Sequence, residues 1–177
     1  MQQARGILTR LTKLGDTSLI VHWLTDSCGL IKTVAKAARR PKSPFAGKLD
    51  LFFSADICWA VARRGELHYL RECSPTHCRL AIRRDYTATL LAAYFCRLLE
   101  RAIQPEHPEP ELHDLLHRAL DHTETHGATL RALTHFEHEL ARILGITASK
   151  NQTSHALREA IGDFPPQRIQ LLERLRR

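Results

Sequence analysis

The sequence predicts an α+β chain, with a small closed barrel of five β-strands in residues 1–80 followed by an all-helical part over residues 81–177. Two observations set this division. Through residues 5–73 the apolar positions recur with a period of two and are rich in β-branched and aromatic types, whereas after Arg84 the period becomes helical. Charge divides at the same place. Residues 1–80 hold 13 Lys+Arg against 6 Asp+Glu, and residues 81–177 hold 13 of each, so the whole net charge of +7 belongs to the first part.

The clearest strand is Ser18-Leu19-Ile20-Val21-His22-Trp23-Leu24, entered through Gly15-Asp16 and left through Asp26-Ser27-Cys28-Gly29. Others are placed near 5–13, 30–37, 49–62 and 66–73. Arg63-Arg64-Gly65-Glu66 joins the last two as a hairpin, since glycine supplies the positive φ that tight turns need. Five strands in so short a stretch suggest a barrel, because closure removes the exposed sheet edges. Between the third and fourth strands, Arg39-Arg40-Pro41-Lys42-Ser43-Pro44-Phe45-Ala46-Gly47-Lys48 carries two prolines and cannot be regular throughout; it is expected to be an exposed, partly stiffened loop.

Asp85 caps an expected helix reaching about Ala102, with Leu90, Leu91, Tyr94, Phe95, Leu98 and Leu99 on one face. A proline-broken linker follows over 104–110. Further helices are expected over 111–126 and 129–144, with Gly145 stopping the latter. A polar run over 147–153 precedes a short helix over 154–161. Pro165-Pro166 then opens a last amphipathic helix on Ile169, Leu171, Leu172 and Leu175.

No apolar run is long enough to span a bilayer, and the first residues lack the layout of a signal peptide, so a cytoplasmic protein is expected. Its five scattered cysteines, Cys28, Cys58, Cys73, Cys78 and Cys96, are then read as reduced thiols. Catalysis has little support. There is no GxSxG, no GxxxxGK[ST] and no GxGxxG after a strand, and no enzyme is expected.

The strongest chemical feature is the cluster Lys32, Lys36, Arg39, Arg40, Lys42 and Lys48. Cations on a loop rimmed by strand ends can reach successive phosphates, and arginine forks two donors to one of them. A purely solubilising loop is the alternative. Phe45, in the same loop, either stacks on a base or plugs the barrel. The histidine pairs His113/His117, His122/His126 and His135/His138 have the spacing of one helical face, yet no register of acidic or cysteine partners completes a metal site. They are read as solvated side chains, and no cofactor is expected.

The residues carrying these features resemble the bacterial RecO family. The resemblance rests on Arg5-Gly6-Ile7-Leu8, Leu14-Gly15-Asp16-Thr17-Ser18-Leu19-Ile20-Val21 and Thr25-Asp26-Ser27-Cys28-Gly29-Leu30-Ile31. It continues through Val34-Ala35-Lys36-Ala37-Ala38-Arg39-Arg40-Pro41-Lys42-Ser43-Pro44-Phe45-Ala46-Gly47 and the Gly65-Glu66-Leu67-His68 hairpin, and more loosely to about residue 146. The resemblance implies an OB-fold joined to a helical domain, acting as a recombination mediator in DNA repair. Such a protein binds single- and double-stranded DNA, anneals complementary strands, and helps load RecA together with RecR and the single-strand-binding protein SSB. Carried over, Lys36, Arg39, Arg40 and Lys42 are the expected DNA contacts, with Lys32 and Lys48 in support.

Many members of the family carry a four-cysteine zinc module soon after the segment matching Leu144-Gly145. Here Ile146-Thr147-Ala148-Ser149-Lys150-Asn151-Gln152 contains no cysteine, and the chain reads as a short or diverged member without the module. A rival reading is an interaction adaptor whose helical part docks an acidic partner tail, DNA affinity being incidental. A third, a nuclease using the histidines, requires bound metal.

Overall fold

The computed structural model describes residues 1–146 and 152–176; the polar run expected over 147–153 therefore falls mostly outside the described residues. The chain groups into two compact units, one made of residues 1–78 with 103–113 and the other of residues 79–102 with 114–177. The sequence places the boundary once, at 80/81. The fold returns to the first unit for a second, shorter stretch.

Five strands form the first unit: β1 Gln2–Leu14, β2 Ser18–Thr25, β3 Gly29–Ala35, β4 Ser54–Ala60 and β5 Leu67–His77. They close in the order β1-β2-β3-β5-β4. All pairs are antiparallel except β3 with β5, which run parallel over Lys32–Val34 and Leu67–Tyr69. β1 serves both neighbours, pairing with β4 over Gln2–Ile7 and with β2 over Gly6–Leu14, and a bulge between Leu8 and Arg10 bends it. Inside sit Leu8, Val21, Trp23, Ile31, Ile57, Trp59 and Leu70. Trp23 donates its indole N–H to Thr33 Oγ1 at 3.0 Å, which satisfies the polar end of a side chain otherwise packed among apolar groups.

The expected strand over 49–62 shrinks to Ser54–Ala60 for a local reason. Phe52 takes a positive φ of 69°, which breaks extended geometry, and its N–H donates to Leu8 O while Leu8 N–H donates to Phe53 O. Gly65 has the positive φ that the hairpin turn requires.

Residues 103–113 lie along the barrel as a strap. Leu30 and Pro105 form an isolated parallel bridge, Glu106 N–H donates to Leu30 O at 3.0 Å, and the buried His68 brings Nε2 within 3.4 Å of Glu106 Oε1. Gly29 admits this strap. Any Cβ there would lie 1.9 Å from His107 O, and its φ of 69° is one that side chains disfavour.

The second unit is helical: α1 Tyr86–Ala102, α2 Pro110–His126 (its first turn belonging to the barrel unit), α3 Leu130–Ile143, α4 Thr153–Ile161 and α5 Gln167–Leu175. Asp85 caps α1 as expected, its Oδ1 accepting from Thr87 N–H at 2.6 Å, and Thr129 caps α3 by accepting from Ala132 N–H at 3.0 Å. The stripe expected on α5 is only partly realised, since Leu171 is buried but Ile169 is 67% exposed. A 3-10 turn, Leu80–Arg84, precedes α1 and was not foreseen. Before it stands Arg79, fully buried in a left-handed conformation and bonded through Nε to Asp121 Oδ1 at 2.7 Å.

Candidate nucleic-acid interface

The loop from Lys36 to Phe53 folds as a run of tight turns. Arg40 N–H donates to Ala37 O, Ser43 N–H to Arg40 O, Ala46 N–H to Ser43 O and Lys48 N–H to Phe45 O, each step spanning three residues. Pro41 and Pro44 fix backbone torsions between these bonds. The start of the loop is bonded to the β1–β2 turn, with Ala37 N–H on Ser18 Oγ, Arg39 N–H on Thr17 O, and Arg39 Nη1 on Asp16 O at 2.8 Å. Phe45 is buried in the barrel core, so of its two readings the structure realises the plug.

A loop held in this way carries its cations on a backbone that is already ordered. Lys36, Arg39, Arg40, Lys42 and Lys48 are all exposed. One Arg39 donor is engaged by Asp16 O, and a guanidinium carries five. Lys36 Nζ stands 5.0 Å from the centroid of the Tyr69 ring on β5. Lys32 is placed differently from the rest. It projects from β3 and pairs with Glu66 Oε2 at 3.0 Å, which offsets its charge and ties the β4–β5 turn to the sheet. Sequence reasoning passed over Arg63 and Arg64, two exposed cations in that turn, because they were read only as turn residues.

Two of the thiols are deeply buried. Cys73 lies in the barrel core, where burial pushes its thiol up to about 11 even with Lys48 nearby, and its Sγ donates to Lys48 O at 3.7 Å. Cys96 is fully buried in the helical unit and its thiol is likewise pushed up. The last of the five cysteines in the sequence is Cys96. Among the described residues no three His, Cys, Asp or Glu side chains are placed to hold an ion. The histidine pairs have other contacts. His117 Nδ1 lies 3.1 Å from Asp121 Oδ2, and His122 stacks on His126 with ring centroids 4.4 Å apart. His122 is held below its ordinary pKa by partial burial first, then by His126, His135 and Arg131.

His122 and His135 border a groove of about 520 Å³ in the helical unit. Phe95, Leu115, Ala119, Ala132 and Phe136 line it with apolar atoms, and Arg118, Arg131, His122 and His135 supply the polar side. Phe95 and Phe136 stack at 4.1 Å beneath it. Arg118 is paired with Asp114 at 2.8 Å. Beside the groove, α3 carries a buried carboxylate. Glu137 accepts from Arg168 Nε at 2.7 Å and Nη2 at 3.0 Å, from Tyr94 Oη at 2.5 Å and from Ser154 Oγ at 3.1 Å. Burial and this carboxylate push the Tyr94 hydroxyl far up, while the hydrogen bonds that Arg168 donates to Glu137 raise Arg168.

A five-stranded closed barrel with the order β1-β2-β3-β5-β4 and a parallel β3–β5 pair is an OB-fold, the class of small barrels that binds oligonucleotides and oligosaccharides. A basic, turn-stiffened loop sits on this one. The chain belongs to the RecO family: residues 1–79 match Recombination protein O N terminal and residues 83–156 match Recombination protein O C terminal. It is similar to the DNA repair protein RecO of Pelobacter propionicus, 31% identical over 135 residues that make 76% of this chain and 54% of that protein. The DNA repair protein RecO of Syntrophotalea carbinolica is 30% identical over 118 residues, 67% of this chain and 46% of the relative. That of Rhodopirellula baltica is 28% identical over 155 residues, 88% of this chain and 57% of the relative. The chain thus spans about half the length of the curated relatives it matches. No described helix is long and apolar enough to cross a membrane.

Proposed function

We propose that the barrel unit binds single- and double-stranded DNA through Lys36, Arg39, Arg40 and Lys42, with Lys48 and the Glu66-paired Lys32 in support, and that the chain serves DNA repair as a recombination mediator. The observation carrying this reading is the preformed loop, whose cations stand exposed on a backbone already fixed by hydrogen bonds and a buried Phe45 plug. Two polyanionic strands brought onto one cationic surface repel each other less, which promotes annealing with no chemical step. Nothing on the loop is arranged to read base edges, so affinity depends weakly on sequence. In this reading the helical unit presents the partner surface, the partners being RecR, SSB and RecA, and the place of action is the nucleoid.

A second reading has one specific observation in its favour. The groove in the helical unit joins an apolar floor to Arg131, His122 and His135, which suits an acidic tail ending in apolar side chains. As an adaptor the chain would act through this groove, and DNA affinity would be incidental.

Fluorescence anisotropy of a labelled single strand across a salt series separates the two. Replacing Lys36, Arg39, Arg40 and Lys42 together by alanine is expected to lower affinity and to reduce the salt slope by about three, given roughly 0.7 for each cation lost on a single strand. Circular dichroism checks that both proteins are folded. An unchanged slope would reject the backbone grip, and Arg131→Glu would then be the substitution that abolishes function.

A further inference from the structure

The buried Phe45 leaves the interface without the aromatic platform that barrels of this class use to hold bases. One aromatic ring on the barrel surface has the needed setting. Tyr69 is 39% exposed on β5, between His68 and Leu70, which are both buried, so the strand's alternation turns its side chain outward. Directly opposite on β4 stands Ala60, whose methyl group is too small to cover the ring. The only cation recorded over that ring among the described residues is Lys36, at 5.0 Å.

We infer that Tyr69 is the base-stacking residue of this interface and that Lys36 and Tyr69 together hold one nucleotide, the ammonium its phosphate and the phenol ring its base. This rests on the proposed DNA-binding reading of the loop and adds a preference to it. In the free protein the Lys36 ammonium lies over the ring, 5.0 Å from its centroid, so a phosphate that draws it aside uncovers that face for the attached base. Bases in a duplex are already stacked and paired, so the ring helps only with unpaired strands. Affinity for single strands is then the sum of the loop's charge and this stack, whereas affinity for duplex comes from charge alone.

The test uses the full chain with three oligonucleotide probes of equal length: a single strand, a duplex, and a strand of abasic sites that keeps the phosphates and lacks the bases. Tyr69→Ala is expected to weaken single-strand binding roughly 5- to 100-fold, the range that loss of one base–aromatic stack gives, while duplex and abasic binding change by less than about twofold. Tyr69→Phe keeps the ring and should restore single-strand affinity; Tyr69→Leu keeps bulk without the ring and should not. Equal losses on all three probes would mean that Tyr69 merely positions Lys36, and stacking would be rejected. No loss on any probe would reject it too, and the loop variant would still report separately on the backbone grip. Near-ultraviolet circular dichroism of the buried Trp23 and Trp59 verifies the barrel in each variant.

Discussion

At the centre of the barrel Trp23 makes a neutral bond to Thr33 among apolar side chains, whereas the helical unit buries ions: Glu137 against Arg168, and Arg79 against Asp121. The first part of the sequence carries the whole charge excess and the second carries none. The difference concerns availability. In the barrel unit Arg5 and Lys32 pair with carboxylates at the surface and the loop cations stand exposed, whereas in the helical unit Arg79 and Arg168 are drawn in against Asp121 and Glu137. Buried pairs add little net stability but punish disruption, because removing one partner leaves the other desolvated and unpaired. The helical unit is therefore the region more sensitive to single charge changes, and the barrel the more tolerant one.

The sharpest way to break this contrast is Glu137→Leu. It strands Arg168 and the Tyr94 hydroxyl and is expected to cost about 3–5 kcal/mol in urea unfolding, the usual penalty for half of a buried pair. Adding Arg168→Met should recover most of the loss. A double variant as unstable as the single one would show that packing, and not the stranded charge, sets the cost. Inside the barrel the effects are smaller and depend on hydrogen bonding. Trp23→Phe removes the donor from the buried Thr33 hydroxyl, whereas the Trp59 indole N–H is buried with no partner among the described residues. Trp23→Phe should therefore be more destabilising than Trp59→Phe by about 1–2 kcal/mol in thermal or denaturant unfolding. Equal costs would mean that lost volume decides both.

The smallest effect belongs to the barrel surface. Burial alone would raise the Asp26 carboxyl, but hydrogen bonds from Arg5 and Ser27 outweigh it and hold the group below its ordinary value of 3.8. A depressed folded-state pKa gives stability that is present above the unfolded value and lost as pH falls through the folded one. Since Arg5 is three-quarters exposed, the loss below about pH 4 should be under about 1 kcal/mol and should vanish in Asp26→Asn. Unfolding midpoints measured at pH 3 and pH 6 check it.

Much of this was legible in the chain itself. Two-residue alternation located the strands because each buries one side, and Asp85 announced its helix because a cap is a local device, whereas Thr129, expected as the first residue of its helix, is the cap before it. The cation cluster was visible as composition, and Phe45 was recognised as a residue with two possible roles. What escaped depended on contacts distant in sequence. Lys32 was counted with the cations because Glu66, its partner, lies 34 residues on, in the β4–β5 turn. Tyr69 drew no notice, since whether a strand residue faces outward beside a lysine depends on barrel closure. Arg79 and Glu137, charged residues that usually lie in water, are buried only because Asp121 and Arg168 meet them in the folded unit.

The strap across Gly29 has a consequence for how the protein is made. All five strands have left the ribosome once His77 is out, yet the cover of the barrel comes only with residues 103–113, after the whole of α1. At ordinary synthesis rates that is a wait of roughly 1–5 s. During it His68 has no Glu106 carboxylate beside it and the Leu30 carbonyl no amide from the strap. The nascent barrel must therefore either keep that edge wet or be shielded there, and a fragment ending at Cys78 would remain permanently in this half-finished condition.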